Sequence, residues 1–173
     1  MNARTEIQRG NVTLSALSTG RKDGPPILLS NSLGAGLDMW PPQRAALEAQ
    51  YHVIGYDTRG HGQSSTPMGV YTFDDLTADA VAVLDHFNVE KADYIGLSLG
   101  GMTGLGLGLD HADRFNKIVC ACARADNPAP FVSSWDDRIA AIAEGGMSAI
   151  WNGTVERWLT PNFFAANPEL VEK

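Results

Sequence analysis

The stretch Tyr94-Ile95-Gly96-Leu97-Ser98-Leu99-Gly100-Gly101 constrains the fold most: an apolar run ends in a serine with glycine at both second neighbours, and a helical pattern follows. This is G-x-S-x-G in a strand-turn-helix setting. So tight a turn holds its serine in a strained backbone conformation, and a Cβ at Gly96 or Gly100 would collide with the neighbouring strand or helix. The hydroxyl is thereby pushed into the open at a helix N-terminus, where the dipole and unsatisfied N–H groups favour a developing oxyanion. Ser98 is the candidate nucleophile; the plainer reading is a glycine-rich turn carrying an incidental serine.

With 173 residues, 44% of them hydrophobic and 19% charged, the chain can build one globular core. A formal charge of -7 and a pI near 4.9 argue against nucleic acid or an anionic membrane as partner, since both require basic surface. No apolar run approaches the ~20 residues that span a bilayer. Residues Met1 to Glu6 lack the apolar stretch of a signal peptide, so a cytoplasmic location is expected. Cys120 and Cys122 lie two apart in an expected strand, facing the same way and badly placed for a disulfide. Without companion His or Cys spacing they read as small core residues, and no metal site is expected.

Taken in order, the chain opens with two strands, Thr5 to Arg9 and Val12 to Ser18, joined by Gly10-Asn11, a pair suited to a two-residue hairpin. Ile27-Leu28-Leu29 is a continuous apolar strand of the parallel-sheet kind. The loop leaving it, Ser30 to Gly36, is built of small residues and glycines that let backbone N–H groups face a ligand; a bland turn is the alternative. Met39-Trp40-Pro41-Pro42 starts a helix to about Gln50, where Trp40 either lines a pocket or staples the helix. The strand Tyr51 to Tyr56 leads into Asp57-Thr58-Arg59-Gly60-His61-Gly62-Gln63-Ser64, a charged, glycine-rich loop. Thr72-Phe73-Asp74-Asp75 has capping-box spacing ahead of Leu76, Ala80, Val83, Leu84 and Phe87, an amphipathic helix. The helix after Ser98 carries glycine at positions 100, 101, 104, 106 and 108, which only close packing on both sides would justify. Lys117 to Ala123 is a sixth strand, so strands and helices alternate as in a doubly wound sheet.

Past Arg124 the pattern changes to helix-spaced sets, Trp135, Ile139, Ile142 and then Trp151, Val155, Trp158, Leu159, as in a helical cap. Such stripes are usually core; pocket lining by Trp135 or Trp158 is the sharper alternative. Four stretches now stand together: Ser30-Asn31-Ser32-Leu33-Gly34, Tyr56-Asp57-Thr58-Arg59-Gly60-His61-Gly62, Gly96-Leu97-Ser98-Leu99-Gly100-Gly101-Met102 and Arg157-Trp158-Leu159-Thr160-Pro161. They resemble the 3-oxoadipate enol-lactonases of the α/β-hydrolase family, over nearly the whole chain.

The resemblance implies an α/β fold: the first six strands of a doubly wound, mostly parallel sheet in residues 1–126, then the start of a helical cap in residues 127–173. It places the oxyanion hole at the Leu33 and Leu99 amides and makes the loop bearing His61 structural, although His61 as a base remains an alternative. In that family the triad acid and histidine follow two further strands after the cap, and neither is evident here. Asp126 either stands in for the acid or is a solvated loop aspartate. The implied reaction is hydrolysis of a small ester or enol-lactone through an acyl-serine, without metal or organic cofactor. A carbon–carbon bond hydrolase of ring-cleavage products, or an incomplete scaffold that only binds, are the alternatives. An apolar sixth strand left as an edge is expected to recruit a complementary C-terminal segment or to self-associate.

Overall fold

The structure, a computed structural model, describes residues 4–168. It divides into two compact units, Met1–Ala125 and Asp126–Lys173. In the first unit, strands β1 (Thr5–Arg9), β2 (Val12–Gly20), β3 (Pro26–Ser30), β4 (His52–Tyr56), β5 (Ala92–Leu97) and β6 (Phe115–Ala121) form one sheet in the order β1-β2-β4-β3-β5-β6. β1, β2 and β4 pair antiparallel, whereas β4, β3, β5 and β6 run parallel. Helices α1 (Pro41–Leu47), α2 (Phe73–His86) and α3 (Leu99–Asp110) make the crossovers between the parallel strands.

The unbroken apolar runs of the central strands follow from burial on both faces. Leu28, Ile54 and Tyr94 point into a cluster with Ala80, Val83 and Leu84 of α2 and Leu107 of α3. Their neighbours Ile27, Leu29 and Val53 point the other way, into a cluster with Leu37 and Trp40. Because the side-chain period of a strand is two, a one-residue slip would exchange the two clusters, and the register Leu28↔Ile54 and Leu28↔Tyr94 is therefore fixed by packing. The start of α2 is set locally by a capping box: Asp75 N–H donates to Thr72 Oγ1 at 3.2 Å while Thr72 N–H donates to the Asp75 carboxylate at 3.1 Å.

Three expectations need correction. Helix α1 ends at Leu47, where Gln50 and Tyr51 N–H groups fold back onto the Leu47 carbonyl, and does not reach Gln50. β6 runs Phe115–Ala121, two residues ahead of the expected span, because its pairing with β5 ends at Leu97↔Ala121, where the chain of β5 turns into Ser98. Cys122 consequently lies outside the strand at φ +49 and is exposed, so it shares neither a face nor a core with Cys120. Among the described residues β6 has a neighbour on one side only, and Val119 is 50% exposed.

The loop after β4 is held by a buried ion pair. Arg59 donates to Asp79 of α2 through Nε at 2.7 Å and Nη2 at 2.8 Å, with 4% and 0% of the two residues exposed. Arg9 of β1 adds a contact to Asp79 at 3.1 Å, and Arg59 also reaches Asp75 at 3.0 Å. The second unit comprises α4 (Ala129–Gly145), α5 (Trp151–Trp158) and α6 (Pro161–Ala166). Trp135 packs edge-on against Phe131 and under the Arg138 guanidinium, 4.4 Å from the ring centre, whereas Trp158 is 52% exposed. Among the described residues no helix is long and apolar enough to cross a membrane.

Removing one partner of the buried pair strands the other. Asp79→Ala is expected to destabilise the fold by about 3–5 kcal/mol, read as a lower urea midpoint with an unchanged slope. Adding Arg59→Met to that variant should restore much of the loss, because neither charge of this pair then remains buried.

Candidate active site

Ser98 sits between the last residue of β5 and the first of α3 with φ +53 and ψ -109, a left-handed conformation costly for a residue with a Cβ. The glycines around it are dictated by contact. A Cβ on Gly96 would lie 2.2 Å from the Gly100 carbonyl oxygen, and one on Gly100 would lie 2.4 Å from the Ser30 carbonyl oxygen of β3. The first glycine thus admits the opening turn of α3, and the second admits β3.

Hydrogen bonds fix the turn from three directions. Ser98 N–H donates to Ala121 O of β6 at 2.9 Å, Gly100 N–H to Asn31 O at 3.0 Å, and the Tyr94 hydroxyl to Gly100 O at 2.6 Å. Burial holds the Tyr94 phenol well above its ordinary value, so it remains a protonated donor at neutral pH. Among the described residues Ser98 Oγ has no hydrogen-bond partner, and neither the Leu99 nor the Leu33 amide donates a hydrogen bond.

The loop after β3 is oriented by Asn31, a buried residue. Its Nδ2 donates to Tyr56 O at 2.7 Å, its Oδ1 accepts the Trp40 indole N–H at 2.8 Å, and its carbonyl takes the Gly100 N–H. Trp40, 6% exposed, therefore belongs to the core and acts on the loop through Asn31. Beyond Asn31 the chain turns at Ser32–Ala35, closed by Ala35 N–H to Ser32 O at 3.2 Å, with Gly34 at φ +78 and the Leu33 side chain 40% exposed.

The Asp57 loop packs beside this turn. The Asp57 carboxylate is fully buried, accepts the Leu37 N–H at 2.6 Å and the Gln63 N–H at 2.9 Å, and is paired with Arg4. His61 bridges Arg59 O and the Gly34 N–H at 3.1 and 3.0 Å. The remaining histidines are engaged elsewhere: His52 shares a 2.6 Å hydrogen bond with Ser18, His86 stacks edge-on with Phe87, and His111 ends α3. Asp126 is the first residue of the second unit. Asn31, Asp57 and Tyr94 were not singled out in the sequence; the readable signal for the first two was a polar residue at the end of a fully apolar strand.

Such a serine turn, at the ends of the parallel strands of a mixed six-stranded sheet, matches what the comparisons return. A family profile described as alpha/beta hydrolase fold covers residues 25–162. The chain belongs to the alpha/beta hydrolase fold family. It is 40% identical over 163 residues to 3-oxoadipate enol-lactonase 2 of Acinetobacter baylyi, covering 94% of this chain and 60% of that protein. An enol-lactonase crystal structure from Burkholderia xenovorans LB400 superposes with a TM-score of 0.91 at 35% identity, over 97% of this chain and 65% of that one. A hydrolase structure from Pseudomonas aeruginosa PA01 gives 0.90 at 34% identity, over 98% and 64%. The chain thus spans about 60% of the length of the curated enol-lactonase that it matches.

Because Gly100 meets backbone and not a flexible side chain, Gly100→Val is expected to cost about 3 kcal/mol or more, as overpacking against fixed atoms does. Thermal melting of that variant beside Gly108→Val, whose added Cβ would meet only Ile118 Cδ1 at 3.5 Å, checks the contrast.

Proposed function

We propose that this chain carries the nucleophile and oxyanion hole of a serine hydrolase acting on a small ester or enol-lactone. The observation that carries the reading is the Ser98 turn: a hydroxyl without internal partner at φ +53, at the mouth of a helix, with the Leu99 amide next in the chain and neither it nor the Leu33 amide donating to anything among the described residues. Kinship with proteins named 3-oxoadipate enol-lactonase, and with a structure named enol-lactonase, supports an enol-lactone as the substrate class. Residues 1–126 are read as part of the catalytic core and 127–173 as the start of a helical cap.

In this mechanism Ser98 Oγ attacks the acyl carbon and transfers its proton to a base. The carbonyl oxygen becomes an oxyanion held by the Leu33 and Leu99 N–H groups, and collapse of the tetrahedral intermediate breaks the acyl–oxygen bond and releases the enol or alcohol. Water then attacks the acyl-serine by the same path in reverse, freeing the carboxylic acid. The positive end of α3 favours the same developing charge. His61 is left out of the base role in this reading, since its Nε2 is engaged by the Gly34 N–H at 3.0 Å. The base is assigned to a complementary segment that adds strands along the edge of β6 that has no neighbour among the described residues, and the acid either to that segment or to Asp126. Self-association along that edge is the competing use of the same unpaired backbone groups.

Ser98→Ala is expected to abolish hydrolysis of a short aryl ester and labelling by a fluorophosphonate, with a loss approaching a millionfold in turnover where the base is supplied. Its melting temperature should match the parent, since alanine and serine carry the same Cβ at φ +53. Unchanged turnover removes Ser98 from the role, and absence of labelling in the parent even with the complementary segment supplied favours a scaffold that only binds.

A further inference from the structure

At the end of the sheet away from Ser98, where β3, β4 and β5 begin, an open cavity of about 440 Å³ is lined by Lys22, His52, Phe87, Val89, Glu90 and Lys91, among others. The six residues of β5 separate it from the serine turn by roughly 20 Å, at ~3.3 Å per residue. The cavity therefore has no part in the chemistry proposed for Ser98.

His52, 8% exposed, presents this cavity with a ring that is only half engaged. Its Nε2 lies 2.6 Å from Ser18 Oγ and 3.5 Å from Lys22 Nζ, and the Lys22 ammonium also donates to Ser18 Oγ. An ammonium can only donate, so the nitrogen beside it is the acceptor and takes the Ser18 hydroxyl proton. Burial, with the Lys22 charge, holds the imidazole below its ordinary pKa, so the ring is neutral at neutral pH. Its one proton is then on Nδ1, a tautomer assigned from the partners of Nε2. Among the described residues Nδ1 has no hydrogen-bond partner. A buried donor left unpaired costs about 1–3 kcal/mol, a cost that an acceptor in the cavity removes.

Water can serve as that acceptor, but two further features favour an organic anion. Neither Lys22 nor Lys91 has a carboxylate partner among the described residues, in a chain whose formal charge is -7. Asp23, next to Lys22, is held by Arg21, and Glu90 is the acid among the lining residues, which leaves the lining with an excess of positive charge. Buried Val89 and half-buried Phe87 supply apolar surface beside these donors. An inorganic oxyanion would satisfy the donors and leave that surface unused.

We propose that this cavity binds a small organic carboxylate, its oxygens on the Lys22 ammonium and the His52 Nδ1–H, with Lys91 adding charge and Phe87 and Val89 covering the hydrocarbon part. Ionised acceptors make the stronger hydrogen bonds, and one carboxylate has lone pairs enough for every donor named. The site stands whether or not Ser98 is a nucleophile.

The test titrates sodium butyrate into the full chain at neutral pH and constant ionic strength, following the two ring nitrogens of His52 by long-range proton–nitrogen correlation. The free protein should carry the proton on Nδ1, and butyrate should shift the Nδ1 resonance saturably. Lys22→Met should weaken the affinity by about tenfold or more, the loss of one charge-assisted hydrogen bond, and Lys91→Met by less. Ser98→Ala should leave the titration unchanged; a response that vanishes in that variant belongs to the serine turn and overturns the proposal. Phosphate and chloride form the control arms, and a match to butyrate by either overturns the carboxylate assignment. A free protein with the proton on Nε2 also overturns it, as does an affinity indifferent to both lysine replacements. Both lysines are exposed, and should Lys22→Met fail to fold, Lys91→Met and the control arms decide alone.

Discussion

The serine turn of the first unit depends on one residue, Gly100, packed where no side chain fits. Its N–H is taken by Asn31 O, its C=O by the Tyr94 hydroxyl, and the Cα positions of Gly96 and Gly100 leave less than 2.5 Å for any added carbon. Close approach of this kind brings the end of β3, the turn after β5 and the start of α3 to one point. The loop bearing Leu33 leaves from the same point through Asn31, so two segments far apart in sequence are tied together by contacts that share one residue. A helix dipole alone would supply only a diffuse field; the short contacts convert it into direction.

The charged loop after β4 contributes rigidity to the same end by a different force. Asp57 and the Arg59–Asp79 pair are nearly fully buried, and burial of such charges is tolerable only where each is hydrogen-bonded on several sides. Asp57 meets that condition with two amides and Arg4, and Arg59 meets it with Asp79 and Asp75. The pair is therefore better read as a device for geometry than as a source of net stability. It fixes the Arg59 carbonyl, and that carbonyl sets which nitrogen of His61 holds the proton.

Much of this was legible in the sequence because it depends on local chemistry or strict periodicity. The Gly96–Gly100 spacing announced the serine turn, Thr72 and Asp75 announced the start of α2, the apolar run at residues 27–29 announced a strand buried on both faces, and residues 51–56 announced the next strand. What failed depended on partners. The end of β6 is set by where β5 turns away, so no pattern within Lys117 to Ala123 could reveal that Cys122 leaves the strand. Trp40 offered two readings by type alone, and only the position of Asn31 Oδ1 decides which way its indole points. Asp79 carries no signal of its own in the helix pattern, and its role rests on Arg59 packing against it.

The serine itself shows why such a site must be overdetermined. A non-glycine residue held at positive φ costs about 1–3 kcal/mol, and each hydrogen bond that holds it contributes roughly 1 kcal/mol. Four bonds act on the turn, from Ser98 N–H, Met102 N–H, Gly100 N–H and the Tyr94 hydroxyl, and together they outweigh the strain. Relaxing the backbone would need glycine at position 98, and glycine has no hydroxyl. The strain is thus the consequence of requiring a side chain at the one point where the chain must reverse between β5 and α3, and the surrounding polar contacts are there because that requirement cannot be met by packing alone.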